Sequence, residues 1–392
     1  MPRKAVASCL AVLLVTVAMA AWAQTAAPNR AVSERLVAKF HPAGIPASLR
    51  ISPNSRRLAY VVSNRSLLRD NKYFVMVDGK EEKQYDDIYS AGPVWSPDGT
   101  RVAYGAKAGN KWFLVSDGAE HKQYDDILKG SLVFNPDGQR VAFAAGLGNQ
   151  RFVVIDGKEE KSYDSIGAGP VFSPDGKRVA YAVKAGNKFF AVVDGTEEKQ
   201  YDGLMASALA FSPDGKRIAY AAKVNDRWTA VVDGKESAPH DGIGAGSLTF
   251  SPDSKRVAYV ATAGKKELVV VDGKEEAQYD GGVLLGSLTF SPDGTRVAYA
   301  AGAGGKWLAV VDGKEQRPYE RILSRSPIFS PDGRRVAYGA KGGNRNWFVV
   351  LDGHEGRRYD NLFQITFDAP DAFHYLAEKT GEQIYLVEET SR

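Results

Sequence analysis

Apolar and polar positions along this chain alternate in short bursts, with no sustained 3.6-residue spacing of the kind an amphipathic helix needs. Leu248-Thr249-Phe250 runs into Ser251-Pro252-Asp253. Arg256 to Ala261 then reads Arg-Val-Ala-Tyr-Val-Ala, and Glu267 to Val271 is a further apolar run ending at Asp272-Gly273. Lys274 to Tyr279 is polar and closes on Tyr-Asp. Valine and aromatics inside the runs, with Pro, Gly and Asp between them, predict short β-strands joined by tight turns. The four runs are labelled A, B, C and D in chain order.

This pattern returns along the whole chain. Ser96-Pro97-Asp98-Gly99 recurs, with small changes, around Pro53, Pro136, Pro174, Pro213, Pro252, Pro292 and Pro331, and successive prolines lie 44, 39, 38, 39, 39, 40 and 39 residues apart. A second anchor, Asp-Gly after an apolar run, recurs at Asp78, Asp117, Asp156, Asp194, Asp233, Asp272, Asp312 and Asp352. Such a period matches four-stranded propeller blades better than helical repeats. Runs B and C are apolar on both faces, as in Val102-Ala103-Tyr104 and Trp112-Phe113-Leu114-Val115, which suits blades stacked face to face. Run D, such as Glu81-Glu82-Lys83-Gln84-Tyr85, is charged and suits an exposed outer edge.

The expected fold is therefore all-β, a single β-propeller of four-stranded antiparallel blades. Nine units are counted, with eight blades and a displaced terminal unit as the alternative. Residues 366 to 389 supply strands A, B and C of the last unit, and Arg35 to Phe40 precedes the first strand A in a strand D position. That N-terminal strand is expected to complete the last blade and close the ring. Arg50 and Asp368 replace the small residue and the serine found elsewhere at their positions, and are expected to pair across the closure.

The phrase Phe211-Ser212-Pro213-Asp214-Gly215-Lys216-Arg217-Ile218-Ala219-Tyr220 resembles the WD-repeat-like propeller repeats of TolB-type proteins, shared with the propeller domains of prolyl oligopeptidase relatives. The resemblance spans nearly every unit and implies the propeller fold and an envelope scaffold role. Residues 24 to 33 leave no room for the α/β domain that precedes the TolB propeller. The Gly-x-Ser-x-Gly elbow of the peptidases is not found here either.

The extreme N-terminus reads as an address. Arg3 and Lys4 precede an apolar stretch from Ala5 to Ala20, broken only by Ser8 and Thr16, and Ala21-Trp22-Ala23 gives the small-x-small cleavage pattern. Residues 1–23 are read as a signal peptide, 24–33 as a linker and 34–392 as the propeller. The expected location is periplasmic or secreted, with no membrane span after cleavage. Lys+Arg and Asp+Glu number 51 and 47, a net +4, too small to argue for nucleic acid as a partner. Cleavage would remove two of those basic residues and the only cysteine, excluding thiol catalysis, Cys-based zinc sites and disulfides. A monomer is expected.

Chemistry is hard to find in the repeats. The histidines His41, His121, His240, His354 and His374 show no ligand spacing and are read as surface residues. Ser-Pro-Asp-Gly is what a tight turn requires, and the acids of Asp-Gly-Lys-Glu-Glu are interleaved with lysines, unlike a calcium loop. No metal, cofactor or catalytic residue is assigned. In a meander, A–B and C–D hairpins share one face and B–C and D–A loops the other. Deviations among the latter are the best candidates for a binding surface: Arg65, Leu67, Leu68 and Arg69 in the first B–C loop, and Tyr89, Leu128, Lys129, Met205, Leu284, Leu285, Arg321, Leu323 and Arg325 in D–A loops. The reading is a non-catalytic scaffold for a protein or peptide. The alternative is a carbohydrate-binding propeller, or a propeller hydrolase or lyase working at the channel mouth.

Overall fold

A computed structural model describes residues 36, 38–64, 71–89, 92–205, 209–343, 346–379 and 383–390. The leader read over 1–23 and the linker over 24–33 lie outside them. The chain divides into two compact parts, Met1–Lys39 and Phe40–Arg392. In the first, the few described residues are in no regular element. The second holds nine antiparallel sheets among the described residues, each made of strands consecutive in sequence. The fold is all-β, a series of propeller blades, and the count is nine.

The fifth blade shows how the repeat folds. Gly203–Leu204 and Ala210–Phe211 both pair with Ile218–Val224, followed by Arg227–Val232 and Lys235–Glu236. At the A–B turn, Gly215 N–H donates to the Ser212 carbonyl at 2.8 Å, and Gly215 sits at φ +72°, a region glycine enters at no steric cost. The fully buried Ser212 hydroxyl donates to Asp214 Oδ1 at 2.6 Å and accepts the Arg217 N–H at 3.0 Å. At the C–D hairpin Asp233 and Gly234 both have positive φ, +50° and +74°, the pair of values that matches a two-residue turn to strand twist. Asp233 Oδ1 also accepts the N–H of Ile218 at 3.0 Å.

Alternation along strand B makes one face small and the other large. Ala219 and Ala221 pack in the cluster shared with the sixth blade, whereas Tyr220 and Ala222 pack in the cluster shared with the fourth. Each blade but the last thus presents Ala, Gly or Val to the aromatic of the next. Tyr201, ending strand D of the fourth blade, meets the Tyr220 ring edge-on at 6.2 Å and 73°. Eight such clusters join successive blades.

An arginine clips each pair of blades from the first to the eighth. Arg217 donates Nε to Asp233 Oδ2 at 2.8 Å within its own blade. Its Nη1 reaches the Ser254 and Lys255 carbonyls of the next blade at 3.0 and 2.7 Å, and the guanidinium lies 5.3 Å from the Phe250 ring. Arg57, Arg101, Arg140, Arg178, Arg256 and Arg296 repeat the arrangement.

The described residues at the two ends do not show the expected closure. The ninth sheet, Asn361–Ala369, Ala372–Lys379 and Gln383–Thr390, has three strands among the described residues. The described residues among 36–40 form no strand, and part of the expected closing segment lies outside the described residues. On the first blade Phe40 stacks on Tyr60 at 4.3 Å, and His41 meets Phe74 edge-on at 6.1 Å. Arg50 donates to the Ala47 and Leu49 carbonyls, while Asp368 is engaged by His374 Nδ1 at 2.7 Å.

Candidate binding surfaces

The D–A loops were expected to carry an exposed apolar rim, and packing has claimed much of it. Tyr89 stacks on Trp112 with ring centroids 4.1 Å apart at 11°, and its hydroxyl donates to Asp126 Oδ1 at 3.0 Å and to the Ile127 carbonyl of the next blade. Met205, Leu284 and Leu323 likewise pack against clusters between blades. These four side chains are inter-blade wedges, and the room for two of them comes from strand B: a Cβ on Gly105 would lie 2.3 Å from the Tyr89 ring, and one on Gly339 2.7 Å from Leu323. Leu128, Lys129, Arg321, Arg325 and Leu285, the last 77% accessible, remain exposed. Arg65, Leu67, Leu68 and Arg69 lie outside the described residues.

One exposed candidate lines a cavity. Arg325, with φ +60°, borders a groove of about 490 Å³ between the eighth and ninth blades, with Leu323, Ile328, Leu362, Phe363 and Ile365. Leu362 pairs with Ala377 and Ile365 with Tyr375, so the register slips between them. That bulge turns Leu362 and Ile365 into the core while Phe363 stays 39% accessible. Sequence reasoning missed Phe363. The visible signal was a broken alternation, with two inward aliphatics three positions apart.

The opposite, hairpin face is laced by ion pairs between blades. Lys83, Lys122, Lys161 and Lys199 reach Glu120, Glu159, Glu197 and Glu236 of the next blade at 2.7, 2.7, 2.6 and 2.7 Å. Each ammonium also lies within about 6 Å of the strand D tyrosine of its own blade. Lys83 holds the Glu120 carboxyl below its ordinary range, and Lys161 and Lys199 do the same for Glu197 and Glu236. Burial pushes the Tyr220 phenol up to about 12. His240 corrects the expectation of a surface histidine. It occupies a strand D tyrosine position, is 3% accessible, and sets Nε2 3.0 Å from Glu275 Oε1. Its place just before Asp241, where six other blades have Tyr-Asp, was the available clue.

No family model matches the chain, and no curated protein does. Among solved structures, a eukaryotic initiation factor is 14% identical over 84% of this chain and 91% of its own, with a TM-score of 0.45. TolB from Acinetobacter baumannii is 21% identical over 56% of this chain and 62% of its own, at 0.29. The β-propeller domain of the trilobed protease from Pyrococcus furiosus, described as having an open velcro topology, is 14% identical over 70% and 97%, at 0.32. Likenesses at this level carry no argument about function. The fold stands on the sheets themselves.

Proposed function

We propose that this chain is an exported, non-catalytic propeller scaffold that binds a protein or peptide in the bacterial envelope, in keeping with its TolB-type repeats. The groove between the eighth and ninth blades carries the reading: an apolar lining with Phe363 accessible and the Arg325 guanidinium at its border. An apolar anchor beside one arginine is the composition that dominates binding energy in protein interfaces. The non-catalytic reading is supported by the use made of the charged repeats, whose arginines pair with aspartates of their own blade and whose lysines pair with glutamates of the next.

The test is a photo-crosslinking amino acid placed at Phe363 and, as a control, at exposed Lys80 in the C–D hairpin of the first blade. A discrete adduct from position 363 alone, lost with Arg325→Glu, is expected. Equal adducts from both positions would remove the groove as the site. Export is checked separately by intact mass, which is expected to show a chain beginning at Gln24.

A further inference from the structure

The ion-pair ladder of the hairpin face has one open rung. Passing from each blade to the next, the cation is Lys83, Lys122, Lys161, Lys199 and, between the seventh and eighth blades, Arg317, which reaches Glu355 at 3.0 Å. Between the fifth and sixth blades the position holds Ala238, and His240 takes over the contact with Glu275. Between the sixth and seventh it holds Ala277, and among the described residues no cation pairs with Glu315. The other walls of the rung are present. Tyr279 is buried at the strand D position and meets Tyr299 edge-on at 6.2 Å. The nearby Glu315 charge adds to burial in raising its phenol.

A cavity of about 960 Å³ opens at Ala277, bordered by Arg256, Glu275, Glu276, Arg296 and Asp312. It shares Arg256 and Asp272 with a second cavity of about 480 Å³ between the fifth and sixth blades. The two cavities thus flank the sixth blade at successive junctions, an arrangement that an extended chain, rather than one small amine, can follow past Arg256 and Asp272. The larger cavity's own arginines are engaged by Asp272 and Asp312 at 2.8 and 2.9 Å, and Lys274, which also lines it, makes no ion pair with Glu315 among the described residues, so none of the three supplies the missing rung.

We propose that the open rung binds a lysine or arginine side chain on an extended segment of a protein partner. The incoming cation lies between the Tyr279 ring and the Glu315 carboxylate, as Lys199 lies between Tyr201 and Glu236. The proposal concerns the face opposite the Arg325 groove and does not depend on that site.

The experiment uses the full mature chain and a short Gly/Ser peptide with blocked ends and one central lysine, followed by NMR titration. Saturable shifts at Glu315 and Ala277 are expected, weaker by about fivefold or more in Glu315→Gln and abolished in Ala277→Lys, which fills the rung from within. Arg325→Glu is expected to leave the titration unchanged. A crystal structure of Ala277→Lys with Lys-to-Glu315 contact, and an unfolding midpoint no lower than wild type, shows that the loss is occupancy and not misfolding. Three results would overturn the proposal: wild-type binding by Ala277→Lys, equal binding of the same peptide with norleucine in place of lysine, or free propylamine binding as tightly as the peptide.

Discussion

Arg217 is held by three different interactions, and only the first is local. Its Nε bonds Asp233 in the same blade, while Nη1 and the guanidinium plane reach two carbonyls and a phenyl ring of the next. About a third of the side chain is accessible, so the ion pair alone is worth little and the fork geometry and ring contact carry the rest. Arg217→Ala is expected to lower stability by about 1–2 kcal/mol in urea unfolding. Arg217→Lys should recover less than half of that, because an ammonium cannot serve carboxylate and carbonyls in the same fork. A change below ~0.5 kcal/mol in Arg217→Ala would show that the clip is decorative. The turn acids make a second prediction. The hydroxyls of Ser96, Ser173, Ser212, Ser251, Ser291 and Ser330 hold Asp98, Asp175, Asp214, Asp253, Asp293 and Asp332 below the usual carboxylate range, Asp98 at about 2. A carboxyl depressed in the folded state stabilises fully above its unfolded value of ~3.9, and that contribution is lost as pH falls through the folded value. Stability is therefore expected to drop as pH falls from about 4 toward 2. The slope in that window should be shallower in Ser212→Ala, and an unchanged slope would remove the hydroxyl as the cause.

Strands B and C were legible because they bury both faces and stay apolar. Strand A was only half legible. Its first half, such as Asp126–Ile127, is two residues long and follows a polar run, so it reads as loop, although both halves pair with Val141–Leu147. The overlooked signal is an aliphatic three residues after all but one of the strand D aromatics: Ile88, Ile127, Ile166, Leu204, Ile243, Ile322 and Leu362. Gly281-Gly282 adds one residue before Val283, where the period is 40. Strand D was expected to be a full strand. It is one in the second and sixth blades, Ala119–Tyr124 and Lys274–Tyr279, but elsewhere shrinks to pairs such as Lys158–Glu159 with a lone bridge at the tyrosine. The wedges were illegible for a different reason: a bulky loop residue declares itself buried only through the glycine it faces in another strand. Gly105→Ala is therefore expected to cost about 1–3 kcal/mol by forcing the Tyr89 ring off Trp112. The cost should largely vanish when the same change is made in Tyr89→Ala. Thermal unfolding of the four-member cycle measures this, and strict additivity would refute the contact.

At the scale of the whole series, the ninth blade is chemically a terminus. In the blades before it the residues flanking the central aromatic of strand B are Ala, Gly or at most Val, as with Ala219 and Ala221 about Tyr220 or Ala298 and Ala300 about Tyr299, and they receive the next blade's aromatics. Around Tyr375 they are His374 and Leu376. Leu376 pairs with Leu386, and together with Ile384 they form an apolar face that is 45%, 60% and 61% accessible at these three side chains. Gln383–Thr390 is also a long edge with no fourth strand beside it among the described residues. Both features mark a surface where another strand or face can add. Stability in such a series is a sum over neighbours, so the two faces of the last blade should respond oppositely to substitution. Phe373→Ala, on the face packed against the eighth blade, is expected to cost about 3–5 kcal/mol. Ile384→Lys with Leu386→Lys, on the open face, is expected to stay within ~0.5 kcal/mol of wild type in urea unfolding, with less self-association in sedimentation at high protein concentration. If the double lysine variant instead unfolds as readily as Phe373→Ala, that face is covered in solution. Closure of the ring by Arg35 to Phe40, as the repeat order suggests, would then be the first explanation to examine, by deleting those residues and measuring whether the lysine penalty disappears.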